Sequence, residues 1–328
     1  MNIPRLIGVL GGGAWGTALA QVLASGGSEV LLWARNAEVV RAINGDYENP
    51  AYLPGQPLSP LIRATYDPGS MQEASALLVV TPAQHMRGIL ARFTPVGQPL
   101  ILCAKGIEAH THKLMHQVAR EAMPGSPVAV LSGPTFAHEV AAGLPTAVTL
   151  AADDEELART LADMIARPTF RPYVTDDVAG AEIGGAVKNV LAIACGVVEG
   201  AGLGQNARAA LIARGFAEMT RFGLALGGRA ETLAGLSGLG DLVLTCSSTS
   251  SRNFSLGKGL GEGKAAAQLL ADRRTVAEGA FTAPVLLEAA RARSVEMPVT
   301  AAVCSLLAAE SSVRDVIGTL LARPLRAE

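Results

Sequence analysis

Aromatic residues make up only 4% of this 328-residue chain, so its mean hydropathy of +0.32 does not come from large rings. Alanine, about one residue in six, and 36 glycines supply it; that alanine use is well above average. Such a composition favours tightly packed helices and glycine turns and argues against disorder. A surplus of one charge is also missing. Lysine and arginine number 27 against 29 acidic residues, a formal net charge of −2. A nucleic-acid partner ordinarily demands a basic surplus, so none is expected, and anionic ligands must be met by a few placed cations.

Paired cysteines are absent. Cys103, Cys195, Cys246 and Cys304 are widely spaced with no CxxC, which fits neither a disulfide framework nor a zinc knuckle and reads as reduced thiols. An unbroken apolar run is missing too. The longest uncharged stretch, Leu6 to Ser28, is interrupted by Gly11, Gly12, Gly13 and Gly16 and ends in a turn. It reads as neither signal peptide nor membrane span, and the cytoplasm is the expected location. The five histidines include His112 and His116, placed on one face of a helix expected over His112–Ala122. No HExxH or carboxylate partner accompanies them, so they read as surface histidines and no metal is expected. There is no internal repeat.

What is present suits two domains at roughly 100–200 residues each. Strand-like runs appear at Leu6–Leu10, Glu29–Trp33, Ala76–Thr81, Pro99–Cys103, Pro127–Leu131, Ala147–Ala151 and Phe170–Val174. Helical patterns separate several of them. Strand and helix in alternation predict a doubly wound parallel sheet, buried on both faces. After Asp176-Asp177 long helical patterns dominate, from Val178–Glu199 to Thr300–Leu307. The expected organisation is an α/β Rossmann-like domain over 1–177 followed by an all-α domain over 178–328.

Four motifs carry chemistry. Leu6–Leu10 runs into Gly11-Gly12-Gly13-Ala14-Trp15-Gly16, a GxGxxG between a strand and a helix. Gly11 suits the tight turn, Gly13 the approach of a pyrophosphate, and Gly16 close helix–strand packing; the pyrophosphate would rest on amides at the helix N-terminus. The second strand ends Trp33-Ala34-Arg35 without the acid that holds a ribose hydroxyl. Arg35 suits a ribose phosphate, so NADP is the preferred cofactor and NAD a tolerated one. Lys105 follows the Pro99–Cys103 strand at a ligand-binding strand end. Lys188, inside the helical pattern 181–192, has two readings: a buried proton donor, or a lysine snorkelling to solvent, which spacing alone favours. The glycine and hydroxyl run 235–251 feeds a helix start at Arg252-Asn253, suited to a small phosphate. No histidine neighbours these serines and no GxSxG occurs, so a serine nucleophile is a poor reading.

The stretches GGGAWGTALA (11–20), LWAR (32–35), KGIE (105–108), LSGPTFAHEV (131–140), AVKN (186–189), GLSGLGDLVLTC (235–246), SSRN (250–253) and VAEGAFTA with VEMP (276–298) run through nearly the whole chain. Together they resemble the bacterial-type NAD(P)-dependent glycerol-3-phosphate dehydrogenases. The resemblance implies reversible reduction of dihydroxyacetone phosphate to sn-glycerol 3-phosphate, a phospholipid precursor, by a Rossmann domain and a helical substrate domain. It implies that Lys188 is the catalytic lysine and Asp241 the acid beside it. It implies substrate contacts at Lys105, Gly133, Thr135, Ser251, Arg252 and Asn253. Cofactor contacts are implied at Ala14, Trp15, Arg35, Lys105, Ala137, Arg252, Val276 and Glu278, beside the turn glycines Gly11, Gly13 and Gly16. Gly12, Ala14 and Thr135 stand where the family commonly has Ala, Ser and Ser; at Ala14 one possible phosphate hydrogen bond is lost while the backbone amides remain. The expected partner is a small phosphate substrate, with no membrane insertion, in a homodimer. Other readings are a β-hydroxyacid or 6-phosphogluconate-type dehydrogenase, against which SSRN argues, and a non-catalytic NADP sensor, against which Lys188 and Asp241 argue. A sugar-nucleotide dehydrogenase would need a nucleophilic cysteine in a glycine loop, whereas Cys195 falls in a helical pattern.

Overall fold

A computed structural model describes residues 6–271 and 277–322. The chain divides into two compact units, one of Met1–Glu108 and Lys113–Glu182, the other of Ala109–His112 and Ile183–Glu328.

The first unit is built on strands β1 (Leu6–Leu10), β2 (Glu29–Trp33), β3 (Ile62–Thr65), β4 (Leu77–Val79), β5 (Leu100–Leu102), β6 (Val128–Ser132), β7 (Thr146–Ala151) and β8 (Phe170–Thr175). They form one sheet in the order β3-β2-β1-β4-β5-β6-β7-β8. Around it lie α1 (Ala14–Ser25), α2 (Ala37–Asp46), α3 (Met86–Leu90), α4 (Met115–Ala122), α5 (Ala137–Ala141) and α6 (Glu155–Ile165). Successive strand residues point to opposite faces, and here both faces are apolar. Ile7, Val9, Ile101 and Leu131 join a core with Leu19, Leu23 and Leu161. Leu10, Leu77, Leu100 and Val130 join another with Met86, Met115 and Val118. In that second core Trp33 meets Phe93 edge-on at 5.3 Å and donates from its indole to Tyr66 O at 3.1 Å. The doubly wound Rossmann fold is thus as expected.

Two details differ from expectation. The edge strand β3 escapes a pattern search because it is four residues long and exposes Arg63. β6 and β7 pair antiparallel, Leu131 opposite Leu150, although every other pair is parallel; short apolar strands buried on both faces carry no signal of direction.

Among its described residues, the regular elements of the second unit are all helices, in agreement with the expected all-α region. It contains most of α7 (Val178–Gly200), which starts in the first unit, then α8 (Gly204–Ala225), α9 (Ala230–Ala234), α10 (Asp241–Thr245), α11 (Arg252–Gly261), α12 (Ala266–Leu270), α13 (Glu278–Arg291), α14 (Pro298–Leu307) and α15 (Val313–Leu321). α7 is long and apolar enough to cross a membrane, yet its most apolar stretch is wholly buried within the fold. Its glycines explain part of the composition. A Cβ at Gly196 would stand 2.1 Å from Phe254 O, and one at Gly257 would stand 1.9 Å from Ile193 O. α7 and α11 therefore cross with their backbones in contact, which only glycine on both helices permits.

Candidate active site

In the first unit the strand order reverses between β1 and β4, the point where open parallel sheets bind ligands beyond the carboxyl ends of their strands. The glycine turn sits there. Gly11 has φ +134° with Val80 O only 2.3 Å from where a Cβ would be, and a Cβ on Gly16 would stand 1.9 Å from Gly11 O. Gly13 faces open space, with nothing within 4 Å of a notional Cβ. It is also the N-cap of α1, no side chain caps that helix, and its first turn holds no acid. Unspent amides at a helix start beside an open glycine face fit an anionic pyrophosphate. Ala14 and Trp15 are partly buried against the core. Arg35 lies just past the end of β2 and is exposed, and Asn36 beside it caps α2 by accepting from Glu38 N at 2.8 Å.

Lys105 follows β5 and is partly buried, its Nζ donating to Gly133 O at 3.4 Å. Gly133 follows β6 at φ +151°, and Thr135 Oγ1 donates to the same carbonyl at 3.3 Å. Ala137 opens α5. Two further side chains hold the Lys105 loop. Gln84 Nε2 donates to Ile107 O at 2.7 Å. Arg87 grips Glu108 with two hydrogen bonds of 2.8 and 2.9 Å and reaches Glu121 at 2.8 Å; these carboxylates hold its guanidinium more basic than usual. Neither clamp is legible in the sequence, because the partners lie more than 20 residues away.

In the second unit Lys188 is 6% exposed. Its Nζ donates to Asp241 Oδ1 at 2.5 Å and to Thr245 Oγ1 at 2.8 Å, and Thr245 Oγ1 donates to Asp241 Oδ1 at 3.3 Å. The snorkelling reading of Lys188 is thereby overturned: α7 is buried on all sides there, so the ammonium finds a carboxylate instead of water. Asp241 and Thr245 are i, i+4 on α10, hence on one helix face. Thr245 was not singled out from sequence, although that spacing was available as a signal. Gly184 brings α7 close to the turn before α10; its Cβ would lie 2.2 Å from Ser237 O. Cys195 and Cys246 are both fully buried. The neighbouring Cys195 thiol and burial hold Cys246 well above the usual thiol range, so it stays uncharged near the ion pair. All four cysteines are free.

Ser251 caps α11 by accepting from Phe254 N at 3.2 Å, and Arg252, the first residue of the helix, is exposed. Asn253 is buried and bridges two helices: it donates to Asn189 Oδ1 at 3.0 Å and accepts from Gly279 N at 2.9 Å. Glu278 begins α13. Val276 lies outside the described residues.

The histidine expectation fails in two respects. α4 begins only at Met115, and His112 precedes it at φ +55°, so the two histidines share no helix face. They also have carboxylate partners: His112 faces Glu288 at 3.3 Å, and His116, only 12% exposed in its side chain, faces Glu182 at 2.6 Å. Among the described residues no group of three or more His, Cys, Asp or Glu could hold a metal.

Fold and turn together define the class as the Rossmann-type proteins with a helical second unit. The sequence pattern of the NAD-dependent glycerol-3-phosphate dehydrogenase N-terminus matches residues 6–158, and that of the C-terminus of the same family matches 177–318. A protein of Sphingopyxis alaskensis named glycerol-3-phosphate dehydrogenase [NAD(P)+] 1 is 63% identical, covering 100% of this chain and 99% of its own. A glycerol-3-phosphate dehydrogenase [NAD(P)+] of Erythrobacter litoralis is 66% identical over 98% of this chain and 97% of its own. The crystal structure of glycerol-3-phosphate dehydrogenase from Coxiella burnetii superposes with a TM-score of 0.93 at 37% identity, covering 97% of this chain and 99% of that one. The chain belongs to the NAD-dependent glycerol-3-phosphate dehydrogenase family.

Proposed function

We propose that this protein reversibly reduces dihydroxyacetone phosphate to sn-glycerol 3-phosphate, with NADPH preferred and NADH accepted. Full-length relatives carrying the glycerol-3-phosphate dehydrogenase [NAD(P)+] name support this over the hydroxyacid and sensor readings. The observation that carries it is the buried Lys188–Asp241–Thr245 cluster. The turn from Gly11 to Gly16 would hold the dinucleotide, whose bound nicotinamide supplies the hydride. Lys188 donates a proton to the carbonyl oxygen as it becomes an alkoxide, and accepts that proton in the reverse direction. Asp241 with Thr245 fixes the orientation of the lysine; a preoriented ammonium out of water stabilises a developing oxyanion without reorganisation.

On this reading residues 1–177 are the dinucleotide-binding domain and 178–328 the domain that carries the catalytic Lys188 and Asp241. Lys105, Gly133, Thr135, Ser251, Arg252 and Asn253 contact the phosphate substrate, and binding energy from its remote phosphate orients the carbonyl. Ala14, Trp15, Arg35, Lys105, Ala137, Arg252, Val276 and Glu278 contact the cofactor, beside Gly11, Gly13 and Gly16. The enzyme would work in the cytoplasm as a homodimer and supply glycerophospholipid synthesis. Absorbance assays with dihydroxyacetone phosphate, run in parallel with NADPH and NADH, test the proposal. Turnover with both and a higher kcat/KM for NADPH are expected; no turnover with either would refute it.

A further inference from the structure

Asn49 is fully buried in the segment between α2 and β3. Its Nδ2 donates to Gly12 O at 3.0 Å and to Thr17 Oγ1 at 2.8 Å. Thr17 Oγ1 in turn donates to Gly13 O at 2.9 Å. The amide orientation follows from the partners: Gly12 O only accepts, and the Thr17 hydroxyl has spent its proton, so both require N–H donors. Among the described residues Asn49 Oδ1 meets no hydrogen-bond partner. Leaving a buried acceptor unpaired is costly, so packing alone does not account for an asparagine here.

The segment that presents Asn49 is itself braced. Asn49 O accepts from Leu53 N at 2.8 Å, and Leu58 N donates to Tyr47 O at 2.8 Å. Ser59 N donates to Gln21 Oε1 on α1 at 2.9 Å, and Leu53 and Leu58 lie in the same core as α1.

We propose that Asn49 is a positioning residue for the dinucleotide site, acting through Thr17 and the glycine turn. A trans peptide is planar, so its C=O and N–H point in opposite directions. Pinning Gly12 O to Asn49 therefore fixes the N–H of Gly13 to point the opposite way within that plane. Gly13 O is held by Thr17 twice, by its N–H at 2.9 Å as the first bond of α1 and by Oγ1 at 2.9 Å, so the N–H of Ala14 is fixed by the helix with the hydroxyl in support. The Gly12–Gly13 plane lies within three successive glycines, and without Asn49 it would be free to turn and to present a carbonyl to an anion. Asn49 thus supplies from a distance the order that the glycines lack.

The inference rests on the dinucleotide reading, and its test separates the two. NADPH binding is titrated by fluorescence on the whole chain, and amide exchange of Gly12–Trp15 is followed in the ligand-free chain. Asn49→Asp, nearly isosteric, turns a donor into a charged acceptor facing two oxygens. It is expected to weaken NADPH binding by about tenfold or more and to speed exchange in the turn. The kcat at saturating NADPH should stay within about twofold, the KM-only signature of lost uniform binding. Thr17→Val should weaken binding about threefold, and Thr17→Ser, which keeps the hydroxyl, should restore it. A folded Asn49→Asp variant with wild-type NADPH affinity and exchange overturns the role. If that variant does not fold, equal affinities for Thr17→Val and Thr17→Ser overturn it. A wild-type chain that binds no NADPH overturns the dinucleotide reading and this role with it.

Discussion

Lys188 and Asp241, 53 positions apart in sequence, meet inside the helical unit with Nζ 2.5 Å from Oδ1, and neither side chain is more than 7% exposed. Such a pair is weak evidence for stability, since desolvation offsets most of the attraction, but breaking it leaves a stranded charge. Lys188→Ala should cut turnover by about 10²–10⁴-fold or more, the range for a lost general acid, while NADPH still binds. It should also destabilise the fold by roughly 3–5 kcal/mol, and Lys188→Ala combined with Asp241→Ala should recover part of that loss without activity. Steady-state kinetics and urea denaturation of these two variants beside the wild type check both effects. Near wild-type turnover in Lys188→Ala would remove the lysine from its assigned role.

Arg35 stands exposed just past β2, where dinucleotide sites choose between a hydroxyl and a phosphate on the ribose. Arg35→Ala should raise KM for NADPH by about tenfold or more, as expected for a lost charge-assisted contact, and leave KM for NADH nearly unchanged. Equal losses for both cofactors would show that this guanidinium does not read the extra phosphate.

How much of this was legible in the sequence depends on how far apart the interacting residues are. β1, the glycine turn and α1 are contiguous, so the run from Leu6 to Gly16 announces strand, turn and helix together. Lys188 was not legible in the same way. Its neighbours on α7 are apolar, and from spacing alone the lysine should have reached for water; what decides otherwise is Asp241 on α10, brought there by a turn that Gly184 allows α7 to touch. Asn49 gives no local signal at all, because both its partners lie more than 30 residues earlier. β3 failed for another reason: four residues with Arg63 turned outward show too little apolar pattern to stand out.

The turn glycines divide by what surrounds them, and the division is measurable. Gly16→Ala drives a Cβ to 1.9 Å from Gly11 O, a backbone clash that has no side chain to yield. It should cost roughly 1–3 kcal/mol or more and appear as a lower Tm. Gly13→Ala meets no atom of the described residues within 4 Å and should leave Tm nearly unchanged while weakening NADPH binding, because the methyl would occupy the open face that the pyrophosphate approaches. A Gly13→Ala variant with unaltered NADPH affinity would show that this face is not used.

Glu218 makes the stability of the helical unit depend on pH. It sits on α8, 1% exposed, and its carboxylate accepts from Val299 N at 2.6 Å and from Thr300 N and Thr300 Oγ1 at 3.3 Å, capping α14 from another helix. Burial, outweighing these hydrogen bonds and the charge of Arg221, pushes its pKa from 4.5 up to about 7. A raised carboxylate pKa means that the folded state binds more protons than the unfolded state between those two values. Unfolding free energy therefore falls as pH rises from about 4.5 to about 7 and levels off above. Glu218→Gln still offers one oxygen to the helix end but cannot ionise, so its stability should lack this decline. Its disadvantage relative to wild type should be largest near pH 4.5 and shrink towards pH 8. Urea midpoints for both proteins across that range give the comparison, and parallel curves would mean that Glu218 titrates at its ordinary pKa despite its burial.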